Sequence, residues 1–293
     1  MSRQHIPAIG ILLTLAAYFV LSLFSALNKA VQEAGFTAGQ VMFFDGIVGL
    51  LCMVAVAHKK KDLKGLRMKS VPMQLLLMGL NVSGAFLTFQ AYPHMALVSA
   101  YLISFMGPLI ITALSAAVLK ERVLPRQMAA IFVGFLGVVF ALGSHEIMLN
   151  TAVVKMFAGI AMFAAAQVTV RALSDTESTW SFPFYYYAGM IALSGLLFHG
   201  EFIMPHTPRE WGMLLGLGIL DAASLIMIYL GLKYAKASTV APFQYSCLLW
   251  VVLLDMVLWN KFPAWYTWCG AGLVILSGIY LATRGRKGLK RKS

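Results

Sequence analysis

Three aspartates interrupt apolar stretches that a lipid bilayer would otherwise accept. Asp45, Asp221 and Asp255 each lie among hydrophobic residues, the last within LLWVVLLDMVLW at residues 248–259. A charged side chain at the bilayer centre costs about 2.5–3.5 kcal/mol on insertion scales, so such residues usually face a bundle interior or a wet cavity. There an acid can bind a positive group, carry a proton or pair with a lysine.

Lys29 also lies in an apolar stretch and offers such a pairing partner. Two roles are equally compatible with the sequence. Lys29 could form a structural ion pair with Asp45 or with Asp255, or the acids could act on a substrate or a proton. Lys29, Asp45 and Asp255 are therefore candidate coupling or ion-pair residues.

Helical periodicity groups the other polar residues on faces that could line a cavity. At 100° per residue, Asp255 lies within about 20° of Gln244. Asp221 shares a face with Ser224, and Asn81 shares one with Thr88. Tyrosine hydroxyls deep in apolar spans also need partners. The candidate substrate-binding residues are Tyr18, Asn81, Tyr101, Asp221, Gln244 and Tyr245.

Structural roles compete with binding for many of these polar side chains. Ser, Thr and Gln in membrane helices more often bond across helices or to their own backbone than contact a ligand. Tryptophans at span ends are typical of an interfacial belt. In the run Tyr185, Tyr186 and Tyr187, at most one or two rings can point inward, because consecutive residues cover every helix face.

The elements that must position these residues are long apolar helices. The chain has 293 residues, of which 60% are hydrophobic and only 12% charged, against about 25% charged in soluble domains. A helical span needs about 20 mainly apolar residues. The sequence predicts an all-α integral membrane protein with ten transmembrane helices, near residues 7–30, 39–57, 71–91, 96–118, 126–143, 152–170, 183–199, 211–232, 237–258 and 265–283.

Charge placement predicts the orientation of these spans. Most of the 23 Lys and Arg residues fall in segments on the same side as the N terminus, including the 58–69 run and the C-terminal tail. This bias is typical of cytoplasmic segments and predicts that both termini are cytoplasmic. The net charge of +12 therefore indicates topology rather than nucleic-acid binding. Anionic membrane lipid is a secondary partner for the 58–69 run.

The two halves of the chain repeat the same order of features. GLNVSGAFLTFQA (79–91) aligns with ILDAASLIMIYLG (219–231), which places Asn81 opposite Asp221. We predict two five-helix repeats, at residues 1–145 and 146–293. Because five is odd, the second repeat must enter the membrane inverted, as in many transporters with a site near the midplane.

These segments resemble the drug/metabolite transporter superfamily, in its ten-helix EamA form. The most specific stretch is residues 237–281, which begin ASTVAPFQYSCLLW, and a weaker counterpart runs from GPLIITALSAAVLKERVLPRQ (107–127) to GFLGVVFALG (134–143). The resemblance covers nearly the whole chain. It implies a metabolite transporter of the bacterial inner membrane, often an exporter.

The chain departs from the family pattern at several charged positions. The family usually has a small residue at Asp255, Gly-Glu at Asn260 and Lys261, and often Arg near Asp45. These differences argue against copying any relative's substrate. The three aspartates favour an amino acid or another cationic or zwitterionic metabolite, moved by alternating access with proton or exchange coupling.

Two other functions remain open at this point: an intramembrane enzyme and a channel-like, uncoupled permease. The usual metalloprotease, serine-hydrolase and ATP-binding motifs do not occur in the sequence. We expect no cofactor, and we expect no metal or disulfide role for Cys52, Cys247 and Cys269. The expected partners are a small-molecule substrate and lipid, in a monomer or homodimer.

Overall fold

The computed structural model describes residues 7–59, 71–118, 125–147, 150–172, 181–197, 202–235 and 240–284. Every regular element in these ranges is a helix. The α-helices are α1 (Pro7–Glu33), α2 (Ala38–Lys59), α3 (Val71–Ala91), α4 (Leu97–Ser104), α5 (Gly107–Val118), α6 (Pro125–Ile147), α7 (Thr151–Ala172), α8 (Ser181–Leu197), α9 (Pro208–Tyr234), α10 (Ser246–Trp259) and α11 (Trp265–Arg284). Short 3₁₀ turns at Tyr92–His94 and Ala241–Tyr245 precede α4 and α10.

Length and composition make this a multi-pass membrane protein. Within the described ranges, seven helical segments are long and apolar enough to cross a bilayer, with α4 and α5 counted as one segment. Large apolar side chains such as Leu12, Val154, Val257 and Leu276 point outward and are about two-thirds or more exposed. Lipid covers such faces, because apolar side chains are compatible with hydrocarbon and a helix satisfies its own backbone hydrogen bonds there.

Two of the spans are interrupted rather than continuous. The span near residues 96–118 breaks after α4, where the Phe105 amide still donates to the Tyr101 carbonyl and α5 restarts at Gly107. Within the span near 237–258, a 3₁₀ turn at Ala241–Tyr245, with Pro242 near its start, comes directly before α10. Proline has no amide to donate and breaks regular helix. Interruptions of this kind are tolerated at membrane depth only where protein or a cavity surrounds them.

Helix packing joins the two halves of the chain. The closest pairs are α1 with α9, α3 with α7, α6 with α11 and α2 with α8. At the α6–α11 crossing, a Cβ on Gly137 would lie 3.0 Å from the Gly270 carbonyl oxygen. Small residues let the two backbones approach this closely, which is the usual way membrane helices associate. The halves therefore form one bundle, with the polar residues between them.

Candidate functional site

A cavity of about 480 Å³ opens among α2, α3, α7, α8 and α9. Its wall is mainly apolar, and its polar members are Asn81, Gln167, Tyr186, Asp221 and Tyr229. It reaches Met53, Pro183 and Leu232, near the end of the bundle where α2 and α9 end and α8 begins. Asn81 and Asp221, which the repeat alignment places at matched positions, thus line the same cavity.

Asp221 is the acid of this cavity. One of its carboxylate oxygens, Oδ2, accepts a hydrogen bond of 2.7 Å from the Tyr187 hydroxyl. Ser224, on the same helix face, donates instead to the Asp221 backbone carbonyl at 2.8 Å. The predicted polar stripe of α9 therefore offers one carboxylate to the cavity, while its serine bonds to its own helix.

Asp45 lies behind Asp221 and is completely buried in α2. Neither of its carboxylate oxygens has a hydrogen-bond partner, and the two acids are close enough to interact electrostatically. The helices touch at this level, because a Cβ on Gly218 of α9 would lie 3.0 Å from the Asp45 carbonyl oxygen. The Tyr187 ring packs on Gly49, one turn along α2. Three helices thus converge on a pair of carboxylates.

The tyrosine run resolves as the helix geometry requires. Tyr187 is fully buried and donates to Asp221, while Tyr186 lines the cavity. Sequence reasoning identified the run but not which ring serves the acid. Gln167 was missed altogether, although it is a polar residue within an apolar span.

The other four candidate binding residues, Tyr18, Tyr101, Gln244 and Tyr245, lie in a second cluster. The members of this tyrosine cluster lie on α1, on α4 and on the 3₁₀ turn before α10. None of them is among the residues that line the cavity. The Tyr101 hydroxyl lies 3.0 Å from the Ser25 hydroxyl. The Tyr245 ring packs edge-on against Phe105 at 4.9 Å between centroids.

Tyr18 interacts with Tyr245 across this cluster, and the Gln244 side chain hydrogen-bonds to Tyr245. Most hydroxyls nearby bond to helix backbone, as Ser22 does to the Tyr18 carbonyl at 2.7 Å. The structure therefore separates the six candidate binding residues into two at the cavity and four in the tyrosine cluster.

Asp255 holds a different position, at the opposite end of the bundle. Its Oδ2 accepts a hydrogen bond of 2.9 Å from the Val98 amide at the start of α4. A carboxylate is stabilised at a helix N-terminus by the free amides and the helix dipole. Periodicity indicated that Asp255 faces the interior, and the side chain is 1% exposed. Asp255 and Lys261 also line a smaller cavity of about 290 Å³.

Lys29 lies beside Asp255 and not beside Asp45. Its ammonium donates to the Met95 carbonyl at 2.8 Å and lies 4.4 Å from the centre of the Trp259 ring. Lys29 and Asp255 interact electrostatically without a direct hydrogen bond. A Lys29–Asp45 pair is not formed, since both Asp45 oxygens lack a partner. The reason is packing: α2 presents Asp45 to α8 and α9.

The substitution of Asn260 for the family's glycine also has a structural explanation. Asn260 adopts a left-handed conformation, with φ of 51°, that ends α10. Asparagine is the residue that most readily replaces glycine there. The Lys261 amide then donates to the Asp255 carbonyl at 3.0 Å, which holds Lys261 beside the smaller cavity.

Comparison with known families identifies the chain. The model of the EamA-like transporter family matches it twice, at residues 8–143 and 150–284. The chain belongs to the EamA-like transporter family. This membership confirms the resemblance to drug/metabolite transporters and indicates a transporter rather than an enzyme.

Individual relatives of this transporter carry different names. A pseudopaline exporter of Pseudomonas aeruginosa is 28% identical over 95% of this chain and 97% of its own length. A riboflavin transporter of Vibrio cholerae is 25% identical over 100% and 99%. An S-adenosylmethionine uptake transporter of Rickettsia conorii is 26% identical over 66% of each chain. One crystal structure has a TM-score of 0.66 at 19% identity, covering 99% of this chain and 100% of that one, which supports the fold alone.

Proposed function

We propose that this chain is a secondary active transporter that exports a small metabolite, either an amino acid or another cationic or zwitterionic compound, by alternating access. The observation that carries the proposal is the cavity that Asp221 lines. Its volume of about 480 Å³ lies within the range of about 300–1,000 Å³ typical of small-molecule sites.

The lining of the cavity favours a positive group on the substrate. Asp221 is an acidic residue in the wall, and none of the described residues that line the cavity is a lysine or arginine. The aromatic rings of Tyr186 and Tyr229 can add cation–π attraction. The amides of Asn81 and Gln167 can bond to the polar remainder of a zwitterion. Tyr18, Tyr101, Gln244 and Tyr245 would then shape the path on the other side of the bundle.

Alternating access requires two halves that rock against each other, and we propose ten transmembrane helices in two inverted repeats, at residues 1–145 and 146–293. The double match to the family model supports this division. The packing supports it as well: α1–α9 and α3–α7 are equivalent pairs if α1 corresponds to α7 and α3 to α9. Inverted repeats with a site between them are a recurrent transporter design.

We propose that the cavity faces the cytoplasm, in a bacterial inner membrane with both termini inside. The basic residues support this orientation: His58 and Lys59 end α2, and Lys233 lies in the last turn of α9, all at the end of the bundle that the cavity reaches. At the other end, Asp255 on the Val98 amide and Lys29 on the Met95 carbonyl hold α1, α4 and α10 together. An inward-facing state with a closed outer side fits this arrangement.

The names of the relatives support transport but differ in cargo. One relative is called an exporter and another an uptake transporter. A third is called a riboflavin transporter, and riboflavin carries no net charge. The exporter matches this chain along almost its full length, which supports export. The proposal that the substrate has a positive group depends on Asp221 and not on the names of the relatives.

Ligand-induced stabilisation of the purified full-length protein tests the substrate class. Thermal unfolding in detergent is screened against amino acids, polyamines and neutral vitamins. A ligand present at a hundredfold excess over its Kd stabilises the folded state by about 2.7 kcal/mol. We expect hits among positively charged or zwitterionic compounds, lost in Asp221→Asn and retained in the matched variant Asp255→Asn.

Two outcomes would contradict the proposal. Hits confined to neutral or anionic compounds, or hits equally strong in Asp221→Asn, would remove the carboxylate from recognition. Each hit is then assayed for counterflow in proteoliposomes, where a carrier saturates with substrate. Uptake that rises without saturation would favour a channel-like permease instead.

A further inference from the structure

We propose that Asp45 and Asp221 together form a proton-binding site, which holds one proton in the empty transporter and releases it when a positive group binds at Asp221. The transporter would then exchange its cation for a proton. The exchange step rests on the proposed function, whereas the proton site rests only on the geometry of the two carboxylates.

Asp45 is the first support for this site. It is fully buried, and neither carboxylate oxygen accepts a hydrogen bond. An ionised carboxylate without donors or a counter-ion is very costly to bury, and such a group takes up a proton instead. Asp45 is therefore the member of the pair that holds the proton.

Among the residues that the structure describes, the charged or titratable groups that interact with these two carboxylates are each other and tyrosine side chains. Asp45 faces Asp221 on α9, and Tyr186 and Tyr187 on α8 interact with both acids. Tyr92, on the 3₁₀ turn, also interacts with Asp221. Among the described side chains, no lysine or arginine nitrogen lies within 4.0 Å of either carboxylate. Two neighbouring carboxylates in such a setting cannot both be ionised. They therefore bind and release protons as a pair.

The two acids are not equivalent, and this gives the site a direction. Asp221 receives the Tyr187 hydrogen bond and lines the cavity, so it is the ionised member that a ligand reaches. Asp45 is not among the residues that line the cavity. When a cation pairs with Asp221, the positive charge of the cation offsets the negative charge that Asp45 gains on losing its proton. The Asp45 proton then passes by way of the Asp221 carboxylate to solvent in the cavity, and both carboxylates remain ionised around the cation.

Infrared difference spectroscopy of the full-length protein in detergent tests the proton site without any substrate. A protonated carboxylic acid has a carbonyl stretching band that ionised carboxylates and amides lack. At neutral pH we expect one such buried band in the parent protein. It should disappear in Asp45→Asn, which keeps the shape of a neutral acid, and remain in the matched variant Asp255→Asn.

The absence of the band from the parent protein, which needs no variant, would overturn the proton site. So would a band that persists unchanged in a monodisperse Asp45→Asn protein, or one that disappears in Asp255→Asn.

Tetramethylammonium chloride, compared with sodium chloride at equal ionic strength, tests the release step. Positive charge is all that the release requires, so the band should decrease in the parent and stay constant in Asp221→Asn. A band in the parent protein whose intensity does not change with tetramethylammonium would overturn the proposed exchange of cation for proton. The two proposals fail separately: a protein that binds metabolites through Asp221 but shows no band lacks the proton site, and a protein with the band but no cationic hits lacks the proposed substrate.

Discussion

Asp45 and Asp255 are both carboxylates buried in apolar helices, yet their surroundings are opposite. Asp255 accepts an amide hydrogen bond at the start of α4 and has Lys29 and Lys261 nearby. Asp45 has no donor and its nearest charge is a second acid. Asp255 thus has an amide donor and positive charges nearby, whereas Asp45 has neither and is the acid that we propose binds a proton. Burial alone does not decide what an acid in a membrane helix does; the donors around it do.

The two cavities also differ in the acid that lines each of them. The larger one has an acid, amides and tyrosines on an apolar wall. The smaller one contains Asp255, but that carboxylate already holds a helix end. Asp221 lines the larger cavity, where a ligand could reach it, whereas Asp255 accepts the Val98 amide at the start of α4.

The largest expected effect comes from Asp221. Asp221→Asn removes the charge that a positive substrate would pair with, and charge-assisted hydrogen bonds contribute about 1.5–3 kcal/mol. Transport should therefore fall by about 10- to 100-fold, measured as the initial rate of counterflow in proteoliposomes. Asp255→Asn should keep the parental affinity for substrate; a loss of affinity as large as that in Asp221→Asn would erase the contrast between the two acids.

For the free energy of unfolding, we expect a large effect at Asp255 and a small one at Asp45. Asp255→Ala removes the acceptor at the start of α4 and leaves Lys29 buried without its neighbouring negative charge, so we expect a loss of about 2 kcal/mol. Asp45→Asn replaces a neutral acid by a neutral amide of the same shape and should change stability by less than about 0.5 kcal/mol. Unfolding in mixed micelles measures both, and a larger loss in Asp45→Asn would mean that its carboxylate has a stabilising partner.

Tyr187→Phe should have an intermediate effect. It removes the hydroxyl that donates to Asp221 at 2.7 Å while keeping the ring that packs on Gly49. One lost hydrogen bond of about 1 kcal/mol corresponds to about fivefold in substrate affinity, measured by ligand-dependent thermal shift. Tyr185→Phe is the matched control, since Tyr185 is not among the residues that line the cavity, and an equal effect of both variants would contradict the assignment.

The smallest effect is expected at the rim beside Asp255. Trp259→Phe removes the 2.7 Å hydrogen bond from the indole to exposed Glu33 but keeps a ring under Lys29, so stability should change by less than about 1 kcal/mol. Trp259→Leu also removes the cation–π contact and should cost about 1 kcal/mol more. Equal unfolding curves for the two variants would show that the ring does not stabilise Lys29.

Composition and periodicity were enough to predict the class of protein and to select two polar residues of the cavity wall, Asn81 and Asp221. Long apolar runs predict membrane helices because the backbone must satisfy its own hydrogen bonds in lipid. Periodicity places Asp255 on an inner face, and the alignment of the two halves brings Asn81 and Asp221 together, as the structure does.

The partners of each polar residue follow from the packing of the helices against one another. Periodicity gives the face of a residue on its own helix, but not which neighbour that face meets or at what depth. Close glycine contacts set those distances: Gly218 of α9 packs against α2, and Gly49 of α2 packs against the Tyr187 ring. They place Asp45 against Asp221 instead of Lys29, and they leave Tyr18 and Tyr101 outside the cavity. Pairing depends on the packing of helices distant in sequence, and no local pattern records it.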